Sequence, residues 1–132
     1  MKTRRGRDPR SKVVRALDAI TPKIVKLRDG RKCQRCGSMP SKQGCHWAHI
    51  YGRRDFRLRW DLLNALTLCY GCHSWFDSNA RDAHDWFEDQ WPARAMHIDA
   101  VRRSPQQGTI RTARLEELLE SHRKKYRELT RN

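Results

Sequence analysis

The chain has 132 residues, enough for one domain or one small domain with extensions, and at 37% hydrophobic and 33% charged it can bury only a modest core. Twenty-nine Lys and Arg against fifteen Asp and Glu give a net charge of +14, the electrostatic footprint of a nucleic-acid binder, though a solvated basic surface or a ribosome-associated protein has the same balance. No run approaches the 18 or so apolar residues of a membrane span and no apolar export signal follows the basic N-terminus, so the sequence argues against a membrane and for a cytoplasmic, reducing setting.

Residues 1–12 are basic, lack apolar periodicity and read as a flexible arm. Val13, Val14, Leu17, Ile20, Ile24 and Leu27 then recur at helical spacing over 13–28. Pro22 predicts a break there, with Thr21 capping a second short helix, and Asp29-Gly30 predicts the stop. After the loop 38–44, residues 45–51 predict a strand with Trp47 and His49 on one face and His46, Ala48 and Ile50 on the other. Gly52 to Arg59 reads as a loop, Ala65 to Leu68 as a second strand that Trp60 to Asn64 lead into, and Cys72 to Ser78 as the start of a helix.

Ser78 or Asn79 can cap a helix over 80–91, which Pro92 ends, and a further helix is expected over 93–103. Ser104 to Gly108 reads as a linker. Thr109 then predicts the cap of a last helix of about 20 residues, with Ile110, Leu115, Leu118, Leu119, His122, Tyr126 and Leu129 as its stripe, packing back on the domain or on a second copy. The division expected is an arm (1–12), a main domain (13–103), and a linker with an accessory helix (104–132).

Four of the five cysteines form two Cys-x-x-Cys pairs, Cys33/Cys36 and Cys69/Cys72, with 32 residues between them. In a reducing compartment such pairs bind metal more often than they form disulfides, and four thiolates suit one structural Zn²⁺. That site has no open coordination position, so it is not a catalytic one. In a domain this small the ion supplies folding energy that the core lacks.

Between and beyond the pairs run Ala48-His49-Ile50-Tyr51-Gly52-Arg53-Arg54, then Arg59-Trp60-Asp61-Leu62-Leu63-Asn64-Ala65-Leu66, then Cys69-Tyr70-Gly71-Cys72-His73. Over residues 33–77 this resembles the HNH endonucleases of the ββα-metal group, and among them the phage recombination nucleases of the NinG and Ref type. The resemblance implies an α+β fold, a small zinc-stapled ββα-metal core with flanking helices. It also implies a metal-dependent DNA endonuclease that leaves a 5′-phosphate, working in a bacterial or phage-infected cell, with DNA and a recombination protein as partners.

His49, Asn64 and His73 would be the three named residues. His49 is the candidate general base, because neutral imidazole can take a proton from water at physiological pH. Asn64 would orient it by bonding backbone across the hairpin. His73 is the candidate ligand of the catalytic ion, with Asp77 four residues on along one helical face. Many HNH enzymes place a ligand just before the base; here that residue is Ala48, so His46, on the same strand face, and Cys45 are the remaining candidates. A nitrogen with a carboxylate suits Mg²⁺ or Mn²⁺ first, with Zn²⁺ or Ni²⁺ also allowed.

Arg53, Arg54, Arg57 and Arg59 form the expected phosphate clamp, since guanidinium forks pair with phosphate oxygens. The rival readings are a zinc-held DNA-binding module without catalysis and a zinc-ribbon protein that binds RNA or ribosomes. Monomer and homodimer stay open.

Overall fold

Asp8 starts the described fold. Its carboxylate accepts from the Ser11 amide at 3.0 Å and the Ser11 hydroxyl at 2.8 Å, and Pro9 fills the first helical position, where a missing N–H costs nothing. The computed structural model describes residues 8–105 and 108–131. Residues 1–7 of the expected arm and residues 106 and 107 of the expected linker lie outside it, while residues 8–12 are the cap and first turn of a helix.

That helix, α1 (Pro9–Arg28), runs unbroken through Pro22. The predicted start at 13 and split at 22 are both corrected. A proline inside a helix costs about 3 kcal/mol, but Leu17, Thr21, Ile24 and Val25 flank it and are buried, and their packing holds the weakened turn. Thr21 is therefore a core residue rather than a cap. The helix ends in the left-handed region at Gly30 (φ 66°) and Arg31 (φ 57°).

Strands β1 (Cys45–His49) and β2 (Ala65–Cys69) pair antiparallel, with Cys45 opposite Cys69 and His49 opposite Ala65. The ribbon stops at His49 and not at 51, because the next partner, Asn64, closes a single 3-10 turn (Leu62–Asn64) and takes the Tyr51 amide and carbonyl on its side chain. The outer edge of β2 is sealed: the Thr67 amide donates to the Asp29 carboxylate at 2.9 Å, and the Gln34 amide donates to the Thr67 carbonyl at 3.0 Å.

Helices α2 (Tyr70–Ser78), α3 (Ala80–Gln90) and α4 (Pro92–Arg103) cover one face of the ribbon. α2 begins two residues earlier than Cys72, because Cys69 Sγ caps it by accepting from the Cys72 amide at 3.5 Å. Asn79 sits between α2 and α3, but its side chain turns back to the Trp75 carbonyl rather than capping α3. Helix α5 (Thr112–Thr130) starts after Arg111 and not after Thr109.

Alternation along β1 divides the interior. Ala48 and Ile50 join Leu66, Leu68, Phe76, Phe87 and Ile98 in one core under α2–α4. Trp47 faces a second core built from Val13 and Leu17 of α1, Leu115 and Leu119 of α5, and Trp60. The last helix thus packs on the domain and completes it. The architecture is α+β, and no described helix is long and apolar enough to cross a membrane.

Candidate functional site

The two knuckles meet. Cys33, Cys36, Cys69 and Cys72 bring four Sγ atoms within 4.8 Å of one another. Cys36 and Cys69 Sγ are 3.8 Å apart, the edge of a tetrahedron with bonds of ~2.3 Å, the usual Zn–S length. The donor set and its spacing fit a structural zinc, so these four cysteines could hold one. The first pair is pinned by the Gln34 bond to β2, and the second opens α2.

The Ser38 hydroxyl, 3.2 Å from Cys36 Sγ, and the Ser38 backbone pull that thiol down to about 6, while burial pushes Cys72 up to about 12. Arg35 offsets the burial of Cys72. It donates to Cys72 Sγ at 3.5 Å, and its guanidinium lies 3.6 Å from the centre of the Trp75 ring. The sequence contains this arginine inside the first knuckle, but only the fold reveals that it reaches the second.

One residue past Cys72, His73 turns toward β1. Its Nδ1 lies 3.0 Å from Nδ1 of His46, and Asp77 Oδ2 is 3.6 Å from its Nε2. These three residues, with Tyr70, Ser74 and Ser78, line an open cleft of about 230 Å³. Two imidazole lone pairs at that separation repel unless a proton or a cation sits between them. Ligand nitrogens about 2.0–2.1 Å from one ion stand ~3 Å apart, so the spacing also fits shared coordination. Burial holds His73 below the ordinary histidine range, with His46 and Arg53 lowering it further against Asp77, and a neutral ring is the ligand form.

Ala48 is fully buried in the core, so the position before His49 is a packing position, and His46, two residues earlier on the same strand face, reaches the cleft edge instead. Cys45 does not: it faces α1 on the other side of β1.

His49 belongs to the opposite strand face from His46. Its ring lies against Trp47, 4.3 Å between centres, and Nε2–H donates to the Arg59 carbonyl at 2.9 Å. A neutral imidazole that donates from Nε2 keeps its basic lone pair on Nδ1. Burial is the main cause of its lowered pKa, with Arg53 and Arg59 lowering it further against the bond to the Arg59 carbonyl.

Asn64 is fully buried and makes no hydrogen bond to His49. Its Nδ2 donates to the Tyr51 and Leu58 carbonyls, both at 3.0 Å, and its Oδ1 accepts from the Tyr51 amide at 2.9 Å. It sits in the turn before β2, not in the strand, and closes the loop 51–58 at both ends.

That loop divides the four expected phosphate-binding arginines. Arg57 is forked onto Asp55, 2.8 Å, and donates to the Ser104 carbonyl at 2.7 Å. Arg59 is forked onto Asp18 of α1, at 3.0 and 2.6 Å. Both guanidiniums serve the fold, which leaves Arg53 and Arg54 exposed, without ion-pair partners among the described residues.

Asp18 also accepts from Trp60 Nε1 at 2.8 Å, and His122 of α5 donates to the Trp60 carbonyl at 2.8 Å. α1 and α5 together therefore fix the segment whose carbonyl orients His49. Asp18 looked like an ordinary surface charge on an amphipathic helix, and no local signal links it to a residue 41 positions on.

Comparison with protein-family models, with curated proteins and with solved structures returns no match for this chain.

Proposed function

We propose that the chain is a metal-dependent DNA endonuclease of the HNH type, with a ββα-metal core held by a structural zinc on Cys33, Cys36, Cys69 and Cys72. The observation that carries this reading is the His46–His73–Asp77 cleft at the point where β1 meets the start of α2, with His49 three residues on at the end of β1, on the opposite strand face.

His46 and His73 would hold a divalent cation, Mg²⁺ or Mn²⁺ before Zn²⁺ or Ni²⁺, through their facing Nδ1 atoms, while Asp77, on the Nε2 side of the His73 ring, would orient that ring rather than share the ion. Such an ion would offset the charge gathering on the phosphate and on the departing 3′ oxygen. His49 takes the proton of the attacking water on Nδ1, because Nε2–H is committed to the Arg59 carbonyl. Arg53 and Arg54 bind phosphate oxygens beside the cleft. Asn64, Asp18 and His122 touch no substrate; they hold the backbone that aims His49.

The partner is DNA, and the phage recombination setting, a recombination protein included, rests on resemblance alone. Plasmid nicking tests the reading. Wild type should nick with Mg²⁺ or Mn²⁺, and His49→Ala or His73→Ala should lose at least about a hundredfold in rate, the lower range for a general acid–base group. A correctly folded wild type that binds plasmid and never cuts it, with any of the four metals, would leave only a zinc-held binder. Preferential retention on RNA would favour the ribosome-associated reading instead.

A further inference from the structure

A second concave surface lies on the other side of the hairpin. It measures about 610 Å³ and runs between α1, Tyr126 of α5 and the loop before β1. Lys23, Lys26, Arg31 and Lys42 line it, and no acidic residue does. Among the described residues none of the four side chains has an ion-pair or hydrogen-bond partner. By contrast Arg57 and Arg59 in the loop 51–59 are neutralised by carboxylates. Four like charges facing one cleft repel each other, and a polyanion relieves that repulsion.

The remaining wall narrows the class of polyanion. Tyr126 presents a half-buried ring to the groove. Cations tracking a backbone beside an aromatic ring that stacks a base are the features of single-stranded nucleic-acid sites. The volume, within the ~300–1,000 Å³ of small-ligand clefts, is enough to seat part of an extended strand. Cys45, on the groove wall, is on the β1 face opposite His46, so this surface is separate from the His46–His73 cleft.

We propose that this groove binds a single-stranded segment of DNA, with phosphates on Lys23, Lys26, Arg31 and Lys42 and a base on Tyr126. Taking the strand as part of the substrate rests on the nuclease reading; the binding itself does not. A protein so built holds an unpaired tail on one side of the hairpin while the scissile duplex lies on the other, which favours flapped, gapped or branched DNA over intact duplex.

The test is fluorescence anisotropy with a labelled oligothymidine and with a labelled blunt hairpin duplex. No divalent cation is added, so nothing is cut, and no chelator, so the cysteine site keeps its metal. The double variant Lys23→Ala/Lys42→Ala should weaken oligothymidine binding about tenfold or more and lower the salt slope by ~1.4, at ~0.7 per lost phosphate contact. Tyr126→Leu should weaken it about fivefold or more, and Tyr126→Phe should leave it unchanged. His73→Ala should bind the strand as wild type does.

Thermal melting checks that each variant is folded; Lys23 and Lys42 are exposed. Wild-type oligothymidine affinity in both the lysine and the Tyr126→Leu variants would overturn the proposal. So would an equal loss on the hairpin duplex, or displacement of the strand by a polyglutamate peptide at equal charge. A wild type that binds oligothymidine through these residues yet cleaves no DNA would sink the nuclease reading and leave the groove standing.

Discussion

Asn64 spends every polar atom of its amide on the loop it closes. Asn64→Ala leaves two carbonyls and one amide of that loop without partners in a buried place. The expected loss is about 2–4 kcal/mol, read by urea denaturation, with a parallel fall in any nicking rate as His49 loses its aim. Asn64→Asp keeps the acceptor, loses both donors and should recover little. His49 bears on pH. Its pKa is lowered, chiefly by burial, so the basic form persists below the ordinary 6.5. The rate should hold level from pH 8 through 6.5 and fall only at lower pH; a fall beginning above 7 would exclude this ring as the base. The sequence made the meeting of His46, His73 and Asp77 legible because it follows from position on a strand face and a helix face. The fates of Arg57 and Arg59 were not legible, since a guanidinium facing phosphate and one facing a distant carboxylate look alike in sequence.

At the scale of elements, the sequence pattern located the five α-helices and both strands among the described residues, taking α1 as two pieces and missing the 3-10 turn Leu62–Asn64, and the other errors gathered at their ends. The beginning of α1 was readable after all: Asp8-Pro9 followed by Ser11 is a cap with a proline at the first helical position, and the basic composition of residues 1–12 hid it. Pro22 misled because local propensity disfavours what the buried face of α1 enforces. Pro22→Ala should restore the missing amide donor and raise unfolding free energy by about 1–3 kcal/mol. Asp8→Ala should lower it through loss of the cap. Chemical denaturation of the two variants separates these effects, because they have opposite signs and one lies at the cap and the other inside the helix. The junction of α2 with the second knuckle was hidden for another reason: Cys69 is a candidate metal ligand and a helix cap together, and the pattern Cys-x-x-Cys announces only the first.

Across the whole molecule, the cysteine cluster joins the segment after α1, the end of β2 and the start of α2. A chelator strong enough to strip zinc should therefore lower the melting temperature sharply or unfold the chain outright, with zinc readdition restoring it. Acid should act as well. His49, His73 and His122 all have lowered folded pKa values, mainly from burial. The stability they carry is complete above the unfolded value near 6.5 and is lost as pH falls through the lower folded values. Melting temperature should decline from pH 7 to pH 5, less steeply in His122→Gln, where an amide can still donate to the Trp60 carbonyl. The expected accessory helix packs back on the main domain, where Leu115 and Leu119 share a core with Val13, Leu17 and Trp60, a pairing that no periodicity reports.

That shared core sets an order of events at the ribosome. Arg10 bonds the carbonyl of Ile110, one hundred positions later, at 2.7 Å, and the cover over Val13 and Leu17 of α1 is completed by Leu115 and Leu119 of α5. Until α5 has been made, Val13 and Leu17 have only Trp60 and its neighbours to lie against. The newborn chain must wait with a sticky flank uncovered, so a stalled or shortened product would be a natural client for chaperones and proteases.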